Sequence, residues 1–92
     1  MGPVATRIKD KLTAALSPVQ ITVIDDSSKH AGHMGARPEG ETHFTIEVIS
    51  DAFEGLTRVA RQRKIHMILA EELAGPVHAL AMTVRAPSEH NL

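Results

Sequence analysis

Apolar residues near the start of the chain recur every three or four positions, with charged residues between them. They are Val4, Ile8, Leu12, Ala15 and Leu16. This spacing places apolar side chains on one face of a helix, and Pro3 suits a first helical turn. Since Ser17-Pro18 disfavours a further turn, we predict a helix from about Val4 to Leu16.

Two later segments alternate apolar and polar residues, which is typical of half-buried strands. They are residues 19–25 (VQITVID) and residues 43–50 (HFTIEVIS). Phe44, Ile46 and Val48 are expected to point inward from the second strand. Residues 26–42 contain four glycines or prolines and no periodicity, so we predict an antiparallel pair joined by a long loop.

The pattern in the second half of the chain predicts a helical region followed by a strand. Residues 56–73 have helical character but no single apolar stripe, which suggests a break near Arg61–Arg63 and a main helix from about Lys64. Gly75-Pro76 is a strong helix stop. Residues 77–84 (VHALAMTV) are largely apolar on both faces, which is typical of a central strand. Residues 85–92 form a polar, flexible tail in this interpretation.

The predicted order of elements is α-β-β-α-α-β, an α/β fold. A three-stranded mixed sheet with helices on one face is the simplest arrangement. The last strand follows a helical crossover from the second, so these two strands should be parallel. The length of 92 residues indicates a single domain, with a core over about residues 4–84.

Composition narrows the classes of function. The chain has no cysteine, which excludes disulfides and thiolate-based zinc sites built by this chain alone. Its formal net charge is −1, whereas domains held by nucleic-acid phosphates usually carry a positive excess. We see neither a membrane-spanning apolar run nor a secretory signal, and we expect a cytoplasmic protein with no membrane contact.

The residue patterns of common enzymes are missing from the sequence. There is no nucleophile elbow, no Walker loop and no HExxH zinc motif. Glu71 and Glu72 are adjacent, so on a helix they point apart and suit a solvated face better than a paired acid and base. We therefore predict that the protein is not an enzyme.

A basic segment, LTRVARQRKIHMIL, offers contacts for a polyanion or an acidic partner. Its cations are Arg58, Arg61, Arg63 and Lys64, with no acidic residue between Gly55 and Glu71. A helix-turn-helix could present them to DNA phosphates. We favour a solvated basic face or a protein-docking surface. Residues 32–35 (GHMG) match the GxxG of RNA-binding KH domains only weakly, because the segment joins two strands.

Three histidines, His30, His33 and His43, lie in or beside the long loop, and His78 begins the third strand. Imidazole is the commonest neutral metal ligand, although a lone loop histidine is more often solvated. A polar ring at the start of an apolar strand must be hydrogen-bonded or face a cleft, so His78 is the stronger candidate. His43, His66 and His90 have simpler explanations as surface residues.

The lack of cysteine limits the ligands that this chain could supply to a metal site. Iron–sulfur clusters normally take thiolate ligands, and this chain can offer only imidazoles. If it holds a cluster, another molecule must bring the sulfur. Two imidazoles and two thiolates would be a Rieske-type set of ligands.

Two segments, ETHFTIEVISDAFEG (41–55) and ILAEELAGPVHALAMTV (68–84), resemble the BolA family. THF, FEG, an Arg-x-Arg, LAEEL and VHAL occur in the family's order and spacing, so the resemblance covers about residues 4–84. It implies a class II KH-like fold, which agrees with the predicted order of elements. It departs from the family at Gln62, where a histidine commonly stands between the two arginines.

The resemblance also implies a function. BolA proteins are non-enzymatic partners of monothiol glutaredoxins and form heterodimers that share a [2Fe-2S] cluster with glutathione. Carried over to this chain, the ligands are His78 from VHAL and His30 from the loop, with His33 as the alternative. The isolated chain is then a monomer that binds no cofactor. The family also resembles transcriptional regulators, so DNA binding through residues 56–73 is the second hypothesis, and an interaction module without metal is the third.

Overall fold

The computed structural model describes residues 2–27 and 40–90. The first helix, α1, is Pro3–Leu16, which confirms the prediction to within one residue. Its buried face is made by Val4, Ala5, Ile8, Leu12 and Leu16. The helix ends at Ser17, whose backbone is left-handed with a φ of 44° and whose N–H donates to the carbonyl oxygen of Thr13 at 3.0 Å.

Three strands, β1 (Gln20–Asp25), β2 (His43–Ile49) and β3 (Ala79–Arg85), form one sheet in the order β1-β2-β3. β1 runs antiparallel to β2, and β2 runs parallel to β3. Both predicted pairings are therefore confirmed. Their register places Val23 beside Ile46 and Ile46 beside Met82, so that apolar side chains of all three strands share one face.

The prediction that β3 is the central strand was wrong. β2 lies in the middle, and β3 is an edge strand of the described sheet. The strand looked buried on both faces because alanine counts as apolar in the sequence pattern. Ala79 and Ala81 are in fact exposed, whereas Leu80 and Met82 are half-buried against the core.

The helical region after β2 is continuous where a break was predicted. A short 3-10 helix at Asp51–Phe53 leads into α2, Arg58–Ile68, which passes through residues 61–63 without interruption. The break falls instead at Leu69, before α3, Ala70–Ala74. The apparent change of phase arose because Arg61 is polar but buried. Arg61, Ile65 and Leu69 form one buried stripe with four-residue spacing.

The core lies between one face of the sheet and the helices α1 and α2. Phe44, Ile46 and Val48 of β2 are almost fully buried, as the alternation in the sequence predicted. They belong to one cluster with the apolar faces of both helices. The side chains on the opposite face of β2, such as Thr45 and Glu47, remain at least partly exposed. Within the described residues, no helix is long and apolar enough to cross a bilayer.

The predicted flexible tail is folded for most of its length. Arg85 is the last residue of β3, Ala86 is fully buried, and a short helix, α4, follows at Pro87–His90. Residues 91–92 lie outside the described part of the chain. The sequence did not reveal this ending because its main anchor is a contact between Glu89 and the distant residue Arg61.

Candidate functional site

His78 immediately precedes β3, and its side chain is exposed to solvent. Its backbone N–H donates to the carbonyl oxygen of Thr42 at 2.7 Å, and the N–H of Ala79 reaches the same oxygen at 3.2 Å. The backbone of His78 is thus fixed to the residue that precedes β2, while its imidazole stays accessible. A partner could approach this ring directly.

A second imidazole, that of His43, lies beside His78. The two ring centroids are 6.4 Å apart and their planes differ by 15°. The Nδ1 atom of His43 is 2.8 Å from the Oγ1 atom of buried Thr42, and this hydrogen bond fixes the ring at the first residue of β2. The sequence interpretation treated His43 as a simple surface residue and missed this pair.

The register of the sheet brings these two histidines together. His43 is paired with Ala79 across β2 and β3, so the ring of the preceding residue, His78, falls nearby. The predicted parallel pairing was the available signal, but without the register it could not identify the neighbours. The aligned beginnings of β2 and β3 therefore bring together two imidazoles from residues that are far apart in the sequence.

The residues on either side of segment 28–39 are anchored next to this pair. The Oγ atom of Ser27 accepts the N–H of Thr42 at 2.8 Å and that of His43 at 3.2 Å. The carboxylate of Asp25 accepts the N–H of Ser27 at 2.9 Å and that of Glu41 at 3.2 Å. We call Asp25, Ser27, Glu41 and Thr42 the loop-base clamp.

The clamp also reaches the first helix. One carboxylate oxygen of Glu41 accepts the backbone N–H groups of Val4 and Ala5, each at 3.0 Å. A carboxylate is favourable at this position because the first N–H groups of a helix lack partners within it and carry partial positive charge. The base of the loop, the start of α1 and the His43–His78 pair are therefore one connected unit.

The two predicted loop ligands, His30 and His33, lie outside the described residues. Within residues 2–27 and 40–90, no group of three or more histidine, cysteine or carboxylate side chains could hold a metal ion. The described part of the chain offers two neighbouring imidazoles. Two imidazoles are fewer than the four ligands of a tetrahedral metal site, so this pair is not by itself a metal centre.

The structure separates the four predicted docking cations. Arg58, Arg63 and Lys64 are exposed on α2, but Arg61 is buried. The guanidinium of Arg61 makes two hydrogen bonds to the carboxylate of Glu89, at 2.6 and 3.0 Å. It also donates to the carbonyl oxygens of Leu56 at 3.0 Å and Val84 at 3.4 Å. Arg61 is therefore a structural residue that joins α2, β3 and α4, and only the other three cations remain open to a partner.

The Arg61–Glu89 contact shifts the pKa values of both side chains. Hydrogen bonds from Arg61 and then from the N–H of Ala86 lower the pKa of Glu89 to about 2. The same pair raises the pKa of Arg61 above its ordinary value. Glu89 therefore remains ionised in mildly acidic solution.

Glu72 was predicted to share a solvated face with Glu71, and this was wrong. Glu71 is exposed, but Glu72 is buried at 3% exposure. Burial on its own would raise the pKa of Glu72, yet the hydrogen bond from Lys11 and the charges of Lys11 and Arg7 bring it below its ordinary value. The Nζ atom of Lys11 lies 2.9 Å from the Glu72 carboxylate. Glu72 thus fastens α3 to α1 and is not part of an acid–base pair.

This architecture defines a small mixed α/β domain with two neighbouring imidazoles, exposed His78 and half-buried His43, at one end of its sheet. A family model described as BolA-like protein matches residues 12–89. The chain belongs to the BolA-like protein family, which confirms the resemblance seen in its motifs.

Relatives and solved structures agree with this assignment. BolA-like protein 1 of Pongo abelii is 48% identical over 89 residues, covering 97% of this chain and 62% of that protein. Protein BOLA1, chloroplastic, of Arabidopsis thaliana is 41% identical over 87 residues, covering 92% of this chain and 54% of that protein. The chain thus spans less than two thirds of both relatives. The BolA domain of SufE1 from Arabidopsis thaliana has a TM-score of 0.87 at 42% identity, covering 97% of this chain and 98% of that one.

Proposed function

We propose that the protein is a non-enzymatic adaptor that binds a monothiol glutaredoxin and shares a [2Fe-2S] cluster with it, in cluster assembly, trafficking and iron-linked regulation. The observation that carries this proposal is the exposed ring of His78, held beside His43 at the start of two parallel strands. An accessible imidazole on a fixed backbone can enter the coordination sphere of a metal carried by another protein.

The donor set of this chain suits a shared cluster. With no cysteine in the sequence, the thiolates must come from the glutaredoxin and from glutathione. The chain would supply His78 and one loop histidine, His30 or alternatively His33. The loop-base clamp holds the residues that flank the loop segment close to the backbone of His78, which supports convergence of the two imidazoles on one iron. When bound, the cluster supplies a redox-active iron centre.

Exposed cations on α2 would help to dock the partner. α2 is oriented with Arg58 near the C-terminal end of β3, because Arg61 contacts the carbonyl oxygen of Val84. Arg63 and Lys64 lie further along the helix, towards the end of the sheet where His78 is found. They are therefore better placed than Arg58 to assist a partner bound at His78.

Reconstitution with a monothiol glutaredoxin, glutathione, iron and sulfide tests the proposal. Visible absorption and circular dichroism should report a heterodimer spectrum that changes in His78→Ala. His66→Ala is the matched control, since His66 is exposed on α2 and outside the site. An unchanged spectrum in His78→Ala would remove this residue from the ligand set. Replacing both His30 and His33 without effect would exclude the loop, and glutaredoxin binding indifferent to the cluster would favour an interaction module without metal.

DNA binding through α2 is the second candidate function. Arg58, Arg63 and Lys64 are exposed on one helix, which favours contact with phosphates. Burial of Arg61 removes one of the four cations on which this hypothesis was based. The hypothesis predicts affinity for a specific duplex that falls steeply with salt and survives His78→Ala. Equally weak binding to every duplex tested would reject it.

A further inference from the structure

A cleft of about 420 Å³ lies between the first half of α2 and the C-terminal half of β3. Arg58 and Gln62 line it from the helix, Met82 and Arg85 from the strand, and the Arg61–Glu89 pair from its end. We call it the β3 cleft. Arg85 is seven residues from His78, about 20 Å along an extended strand, so the cleft and the imidazole pair are at opposite ends of β3.

The backbone beside the cleft is the outer edge of the described sheet. The carbonyl oxygen of Arg85 faces inward and accepts the N–H of Ser50 at 3.0 Å. The carbonyl oxygen of Val84 faces outward and accepts from Arg61. Backbone groups alternate in direction along a strand, so those of Leu80 and Met82 also face outward. An added strand could form hydrogen bonds with them.

The charge of the β3 cleft is positive. Arg58 and Arg85 are exposed, and within the described residues neither makes an ion pair shorter than 4 Å. Glu89 lines the cleft and is already paired with Arg61. Two other acids lie outside its lining: Glu54, whose charge acts on Arg61, and Glu47, which lines a separate small pocket with Arg85. Three arginines and one carboxylate thus line the cleft, and this positive lining is complementary to an acidic ligand.

We propose that the β3 cleft binds an extended acidic segment of a partner protein, which adds to β3 as a fourth strand. Its backbone would pair with the outward groups of Leu80 and Met82, and its carboxylates would meet Arg58 and Arg85. An extended peptide fits better than a small anion because it uses both the strand edge and the arginines. This inference is independent of the proposed cluster site at His78.

The test uses a short fluorescein-labelled peptide that alternates glutamate with valine or threonine, measured by fluorescence polarisation. Arg58→Glu and Arg85→Glu should each weaken binding by about tenfold, as expected for exposed charge pairs turned repulsive. Arg63→Glu is the matched control, since it makes the same charge change on α2 outside the cleft. It should change the affinity by less than about twofold, and His78→Ala should leave it unchanged.

Backbone pairing is tested separately by amide hydrogen exchange. Peptide binding should slow hydrogen exchange at the outward-facing amides of Leu80 and Met82. The inward-facing amide of Ala81 should gain less protection. A peptide with proline at alternate positions should bind much more weakly. If a reversed charge disturbs folding, Arg58→Gln and Arg85→Gln replace the two glutamate variants.

Four results would overturn the proposal. The first is equal loss of affinity in Arg63→Glu, which would indicate only the general charge of the helix. The second is equal binding of the proline peptide. The third is full competition by inorganic phosphate, which would indicate a small-anion site. The fourth is concentration-dependent self-association abolished by Arg85→Glu, which would identify a second copy of this chain as the occupant.

Discussion

Removing the carboxylate of Glu41 should destabilise the protein through the start of α1. This side chain accepts the N–H groups of Val4 and Ala5, each at 3.0 Å, and Gly2, which precedes the helix, offers no side chain to replace it. Losing such a cap costs about 1–2 kcal/mol. For a domain of this size, that corresponds to a fall in Tm of very roughly 4–15 °C.

Gly2 provides an independent way to remove the same contact. A Cβ atom at Gly2 would overlap the carboxylate of Glu41, so Gly2→Ala should displace it from the helix start. The backbone of Gly2 is extended, with a φ of −74°, and can accept alanine without strain. In a Glu41→Ala background, where the contact is already lost, Gly2→Ala should therefore cost less than it does in the unmodified chain.

A double-mutant cycle measures this dependence. Urea unfolding should be followed by far-ultraviolet circular dichroism, because the chain has no Trp or Tyr. Each single variant should lose about 1–2 kcal/mol, and the double variant should lose clearly less than the sum of the two. Asp10→Ala, an exposed acid on α1, should change the free energy of unfolding by less than about 0.5 kcal/mol. If the losses of the two single variants add, the shared contact is refuted.

Three further predictions follow from other contacts. The pKa of Glu89 is lowered to about 2 by its hydrogen bonds from Arg61 and the backbone, so its contribution to stability is present above its ordinary pKa and disappears as pH falls towards about 2. Glu89→Gln should flatten the dependence of Tm on pH between about 4.5 and about 2. Thr42→Val should cost about 1 kcal/mol by removing the hydrogen bond to His43, and should shift the NMR signals of that ring. Leu69→Ala, at a position 1% exposed, should cost about 2–5 kcal/mol.

Each of these has a control within the chain. An unchanged pH profile in Glu89→Gln would contradict the ion-pair prediction. Thr42→Val should leave the ring signals of His66, which is exposed on α2, where they were, and general shifts would indicate global disruption. The control for Leu69→Ala is Val59→Ala, which shortens an apolar side chain that is 54% exposed. A cost similar to that of Leu69→Ala would show that exposure does not determine the effect.

Local patterns in the sequence were sufficient for most of the fold. The spacing of Val4, Ile8 and Leu12 determines one helix, and the alternation of Phe44 and Ile46 determines the inner face of a strand. These signals act within a few residues, so they are visible without the partner. Both strand pairings followed because connection length limits the choice between parallel and antiparallel neighbours.

The errors concern residues whose environment depends on distant contacts. Arg61 is polar by type but buried through Glu89, and Glu72 is buried through Lys11. No local pattern reports such partners. The relation between His43 and His78 likewise depends on the register of β2 and β3, which the sequence predicted in direction but not in alignment. Of the two neighbouring imidazoles, the sequence therefore singled out only that of His78.

The loop-base clamp has a consequence for how this protein can vary. Ser27 and Glu41 bring the two ends of the intervening segment to fixed places before any of its own residues are considered. Closing a longer segment between fixed ends costs little, since the entropic penalty grows only with the logarithm of its length. Insertions and deletions between these flanking residues can then change the length and residue types of the segment while the hydrophobic interior stays the same.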